Sequence, residues 1–146
     1  MNRTAAVIAR FLLSTVFLLN GFGVIDQSIP ARELAERGVP SATVPAVMLG
    51  GRVLEVAAGA ALAFGVAPQL AALALLAFLV PATFVSHSFW EAWRTAAFQP
   101  QMINFFKNFA IWGGLLFTAG APRQPAVVSS SALLSLLRFS RSRRPQ

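Results

Sequence analysis

An arginine and a glutamate three positions apart, Arg52 and Glu55, stand inside the otherwise apolar run GGRVLEVAAGAALAFG at residues 50–65. Residues at i and i+3 are neighbours on a helix, so this spacing puts both charges on one face. His87 and Glu91 sit four apart where another apolar run ends, and Asn104, Lys107 and Asn108 recur at helical spacing in QMINFFKNFAIW. A charge at the centre of a membrane-spanning helix raises its insertion cost by roughly 2.5–3.5 kcal/mol, whereas each leucine-like residue returns about 0.3–0.6. Such groups persist when they face one another or a wet cavity. Two chemistries fit. One is a buried ionic clasp, with Arg52 paired to Glu55 and Lys107 near Glu55 or Glu91. The other is a site for a polar or redox-active small molecule, with His87 and Lys107 donating to carbonyl oxygens and Glu55 or Glu91 exchanging protons.

Other chemistries find no residues to carry them. His87 is the one histidine and cysteine is absent, so neither a bis-histidine haem nor a transition-metal site is expected, and no metal ligand is assigned. No glycine-rich loop follows a strand pattern, which excludes nucleotide binding of the phosphate-loop kind. Ser14, Ser86 and Ser88 lack the setting of a hydrolytic triad.

The elements that must position these groups are membrane helices. Of 146 residues 56% are hydrophobic and 12% charged, against about 25% charged in a soluble domain, and mean hydropathy is +0.65. Four apolar runs, residues 5–25, 44–65, 68–87 and 102–121, each approach the roughly 20 residues that cross a ~30 Å hydrocarbon core. The expected fold is an all-α membrane protein, a bundle of four transmembrane helices spanning residues 1–125. Residues 126–146 form a short basic C-terminal tail, interfacial or disordered, suited to anionic lipid headgroups. Arg3 and Arg10 precede FLLSTVFLL, and no small-residue cleavage site follows it, which reads as a retained signal-anchor.

The net charge of +7 does not make a nucleic-acid surface, because seven of the twelve basic residues sit at the two ends of the chain. Arg3, Arg10, Arg123, Arg138, Arg141, Arg143 and Arg144 fall on one side of a four-span topology, and Arg32, Arg37 and Arg94 on the other. That imbalance places both termini in the cytoplasm. In the first outer loop ARELAERG permits a short helix closed by Gly38, and Phe89, Trp90 and Trp93 in the second fit an interfacial aromatic belt. Arg52 and Lys107 then lie roughly 8–12 Å below the outer boundary, at about 1.5 Å per residue. Asn20 and Asp26 arrive at the same zone from the first span, and Gln101 from the fourth. Pro81 bends the third span and opens room near His87. Gly50, Gly51, Gly59 and Gly114 allow close helix contact. The inner halves of spans two to four are almost wholly apolar, which argues against a solute pore.

The same residues carry a family resemblance. RVLEVAAGAALAFG, HSFW and QMINFFKNFAIWGGLL resemble the DoxX family of small bacterial four-helix membrane proteins over most of residues 6–120. The resemblance maps onto Arg10, Gly21, Glu55, Gly59, Gly65, His87, Trp90, Lys107, Asn108, Gly113 and Gly114. Members often carry a lysine three residues after the glycine ending the first span, where this chain has Val24. The resemblance implies a multi-pass protein of the bacterial inner membrane. It also implies association with quinol-oxidising or thiosulfate:quinone oxidoreductase systems, hence a quinone as ligand and a membrane or peripheral redox protein as partner. The candidate ligand set, taken from the polar groups that spacing and depth bring to one outer zone, is Arg52, Glu55, His87, Glu91, Asn104, Lys107 and Asn108. The alternative is a non-catalytic assembly or anchoring protein whose buried charges are structural.

Overall fold

The computed structural model describes residues 3–26 and 28–122, so the basic tail at 126–146 lies outside the described residues. Those residues form α1 (Arg3–Gly21), α2 (Ser28–Glu36), α3 (Val44–Phe64), α4 (Pro68–Ser86) and α5 (Phe98–Gly120), with no strand among them. Three helices are long and apolar enough to cross a membrane, at Thr4–Gly21, Val44–Phe64 and Pro68–Ser86. α5 has 23 residues, about 35 Å of helix at ~1.5 Å per residue. Its first half carries Gln99, Gln101, Asn104, Lys107 and Asn108, which dilute its hydropathy.

Local chemistry sets the boundaries. α3 and α4 are joined by a turn whose pivot is Gly65, at φ +72°. Gly65 N–H donates to Leu62 O and Val66 N–H to Ala61 O, the paired closure that a left-handed residue after a helix permits. Pro68 then opens α4, where its missing N–H costs nothing. The same closure ends α1 earlier than its apolar run predicts. Gly23 takes φ +76° and Val24 N–H donates back to Leu19 O, so residues 22–25 leave the helix. α5 begins at Phe98, four residues before the expected start, with Pro100 tolerated in its first turn. The short helix expected in the first loop is α2, and Gly38 follows it.

α1 packs on α3, α3 on α4 and α4 on α5, while the seam between α1 and α5 is the loosest of the bundle. The core is Phe17, Leu62, Ala71, Ala72, Leu75, Leu79 and Leu115. Small residues set the close approaches. A Cβ on Gly21 would lie 2.7 Å from Val56 Cγ2 and 3.0 Å from Arg52 O, so α1 and α3 meet there nearly backbone to backbone. Gly59 takes Leu18 and Phe17 of α1, Gly51 takes Phe78 of α4, and Gly114 takes Leu13 of α1, whereas Gly50 and Gly113 meet nothing. Outward, Phe11, Leu12, Leu49, Val53, Leu70, Phe109 and Leu116 are exposed, as on helices that face lipid.

Two ends can be distinguished. At one, α2 lies across the ends of α3 and α4, beside the 87–97 connection. At the other sits the Gly65 turn. An aromatic cluster ties the connection to α5 at the first end: Phe89 and Phe84 stand edge-on to Phe105 at 5.3 and 5.4 Å, and Trp93 to Phe98 at 4.9 Å.

Candidate functional site

Toward the α2 end the helices enclose a cavity of about 780 Å³, bordered by all five helices. That size falls within the roughly 300–1,000 Å³ of small-molecule sites. Val16 and Asn20 of α1 and Lys107 and Ile111 of α5 border it, so it extends along the loose α1–α5 seam. Six of the seven candidate residues line it: Arg52, Glu55, His87, Asn104, Lys107 and Asn108.

Glu55 is 3% exposed. Both of its carboxylate oxygens accept from Asn20 Nδ2, at 2.6 and 2.8 Å. That contact exists because Gly21 lets the last turn of α1 settle onto α3. Arg52, one turn earlier, does not close a salt bridge with Glu55. Its Nε donates to Gly21 O at 3.0 Å, covering one of the carbonyls orphaned at the end of α1 with a cation that suits the negative end of the helix dipole. Gly23 makes way for it, since a Cβ there would lie 2.9 Å from Arg52 Nη2. The expected Arg52–Glu55 ion pair is therefore replaced by two separate ties between α1 and α3. A carbonyl and an amide from α1 reach the charged groups before they reach each other.

His87 terminates α4 at φ −135°, and its Nδ1 lies 3.0 Å from Gln101 Oε1 of α5. With the proton on Nδ1 the ring donates to that amide oxygen. Nε2 is then an acceptor in the neutral ring and a donor in the protonated one. Asn108 Nδ2 donates to Thr83 Oγ1 at 3.1 Å, and Thr83 donates in turn to Leu79 O at 2.6 Å. This joins α4 to α5 two residues beyond Pro81, which also borders the cavity. Lys107 makes no hydrogen bond or ion pair with any described residue, so the expected partnership with Glu55 or Glu91 does not form. Lys107 and Asn104, one turn apart on α5, and Ser86 at the end of α4 border the cavity without a side-chain hydrogen bond to any described residue.

Glu91 is outside the cavity. The helical i, i+4 relation to His87 fails because α4 stops at Ser86 and the chain turns away. Glu91 instead accepts from Ser88 Oγ at 2.9 Å and from Arg37 Nη1 and Nη2 at 3.3 and 3.1 Å. The Ser88 hydrogen bond, then those of Arg37, hold its carboxyl below the usual glutamate value. Arg37 also donates to Ser88 Oγ at 2.6 Å and to Val85 O at 3.2 Å, with Glu33 at 3.8 Å. It thereby ties α2 to the end of α4. Its part was not among the sequence candidates, though the Glu33–Arg37 spacing is that of a helical ion pair.

Among the described residues no three His, Cys, Asp or Glu side chains gather at one point. The cavity has the size of a small-molecule site, and Lys107, Asn104 and His87 border it beside the buried Glu55. The DoxX family model matches residues 5–88, which carries α1 to α4 with Glu55 and His87 but not Lys107 or Asn108. No curated protein matches the chain, and no solved structure does. The matched segment exceeds half of the sequence and contains all three of the most apolar helices, and the chain is a multi-pass membrane protein that belongs to the DoxX family.

Proposed function

We propose that this protein is an accessory subunit of a quinone-linked redox system in the bacterial inner membrane, and that its cavity at the α2 end receives a quinone-like headgroup. In this reading α5 is the fourth span and both termini are cytoplasmic. Lys107 and Asn104 donate to the headgroup oxygens, and His87 Nε2 approaches from α4. Glu55, held by Asn20, is the proton-exchanging carboxyl. Glu91 has no part in the site. The chain offers no redox group of its own, so electrons pass between the quinone and a partner protein.

The observation that supports this most is Lys107, an uncommitted ammonium beside a cavity of ligand size. A lysine that the fold needed for packing would be expected to have a partner. The loose α1–α5 seam gives a lipid-soluble molecule a lateral way in. A second reading, a non-catalytic assembly or anchoring protein, draws support from Arg52, Glu55 and Asn108, each bonded between helices. The test is recovery of quinone from protein purified in mild detergent, with copurifying redox proteins identified alongside. The redox reading expects quinone near one per chain and a redox partner. Well-folded protein that carries none, and binds none of several added quinone types, leaves the assembly reading.

A further inference from the structure

At the opposite end of the bundle a buried cation has no counter-charge among the described residues, and we infer that it forms the centre of a phosphate-binding site. Arg10, on α1, is 9% exposed. Its Nε is buried with no hydrogen-bond partner, and its guanidinium makes no hydrogen bond or ion pair among the described residues. It lies flat against the Gly65 turn, where a Cβ would come 3.2 Å from Nη2 and 3.4 Å from Cζ. A bare backbone at residue 65 is what leaves room for it.

No carboxylate side chain of the chain serves it. The acidic residues are Asp26, Glu33, Glu36, Glu55 and Glu91, and residues 1–2, 27 and 123–146 include none. Four of the five belong to the α2 end. Glu55 is bonded to Asn20, which stands ten residues, or about 15 Å of helix, from Arg10. An unpaired buried charge is costly, and no acidic side chain of this chain relieves it, which favours an anion from outside.

Arg10 borders a cavity of about 160 Å³ between α1, α4 and α5. The first turn of α4 borders it through Pro68 and Gln69, and that N-terminus has no side-chain cap because Ala67 supplies no oxygen. A guanidinium fork and an uncapped helix N-terminus are the two elements that bind phosphate oxygens best. The neighbouring polar groups are already turned elsewhere: Gln69 Nε2 donates to Ala121 O at 3.2 Å and Thr118 Oγ1 to Gly114 O at 2.9 Å. The remaining wall, including Leu13 and Phe117, is apolar, as an acyl chain beside a headgroup requires. The shared chemistry is a phosphate group, supplied by a phospholipid or by free phosphate.

The test uses the full chain, delipidated in dodecyl maltoside. The probes are dioleoylphosphatidylglycerol, inorganic phosphate, and dioleoylglycerol, which has the same acyl chains without the phosphate. Tryptophan fluorescence gives the melting midpoint and native mass spectrometry the adducts. A phosphate-bearing probe should raise the midpoint and remain bound while dioleoylglycerol does neither. A response to the lipid alone identifies a headgroup, and a response to inorganic phosphate as well identifies free phosphate. Arg10→Gln should weaken binding about tenfold or more, the scale of one lost charge-assisted hydrogen bond, with Arg94→Gln unchanged. Should Arg10→Gln fail to fold, the wild-type comparison decides. Equal retention of the two lipids with no response to phosphate, or unaltered binding by folded Arg10→Gln, would overturn the inference.

Discussion

Replacing Asn20 by leucine keeps side-chain volume but strips Glu55 of the donor that holds both of its oxygens, at 2.6 and 2.8 Å. At 3% exposure water does not replace the lost amide. The expected cost is about 3 kcal/mol, the lower end of the range for breaking a buried pair by removing one partner. Glu55→Leu leaves the Asn20 amide short of its acceptor instead, at about 1–3 kcal/mol. The double substitution removes both polar groups together, and an apolar pair of similar shape is close to neutral. It should therefore cost about 1 kcal/mol, which makes the coupling about 3 kcal/mol or more, at or above the top of the roughly 0.5–3 kcal/mol seen between touching residues. Unfolding by dodecyl sulfate, followed by tryptophan fluorescence in detergent micelles, measures all four corners of the cycle. Additive single losses would refute the argument that Asn20 and Glu55 are one unit joining α1 to α3.

Lys107→Met should change unfolding free energy by less than about 0.5 kcal/mol in the same assay, as for an exposed group without such partners; a loss near that of Asn20→Leu would mean that the ammonium is structural. Gly65→Ala should cost about 1–2 kcal/mol for a side chain at φ +72° and more as Arg10 is displaced, while Gly50→Ala, which meets nothing, should be neutral or mildly stabilising. Because Glu91 titrates below the usual value of 4.5, its tie to Ser88 and Arg37 stabilises the fold above that pH and is lost as pH falls through the lowered value. The melting midpoint of Glu91→Gln should accordingly fall less than that of the wild type on acidification; parallel curves would contradict this. Single cysteines at Ser41 and Thr95 should react with an impermeant thiol reagent from outside cells and one at Ala67 only after permeabilisation. The reverse pattern would invert the proposed orientation.

The length of the apolar runs is enough to find α1, α3 and α4, because a helix crossing lipid must be apolar on every side that lipid touches. Stop signals were less legible. Gly23 ends α1 by its backbone conformation, inside a sequence whose hydropathy continues to Ile25. α4 ends at Ser86 with no glycine or proline to announce it, and Glu91 was consequently assigned to a helical face that does not exist. The convergence of Arg52, Glu55, His87, Asn104, Lys107 and Asn108 followed from spacing and depth alone. Their bonding did not, since complementary charge suggested Arg52 with Glu55, whereas the close approach at Gly21 brings the Asn20 amide and the end of α1 within reach first. In the sequence Arg10 is one of several terminal arginines that set the orientation, and its burial against a glycine turn 55 residues away leaves no local trace.

Equilibrium titration with a short-chain quinone tests the central claim most directly, using wild type, Lys107→Met, His87→Ala and Arg94→Gln, each first shown to keep its melting midpoint. The account predicts saturable binding near one quinone per chain, weakened about tenfold or more by Lys107→Met, as for loss of a charged donor. His87→Ala should also weaken it, and Arg94→Gln should leave it unchanged. Folded wild type that binds no quinone, or folded Lys107→Met that binds it as tightly as the wild type, would contradict the assignment of this cavity.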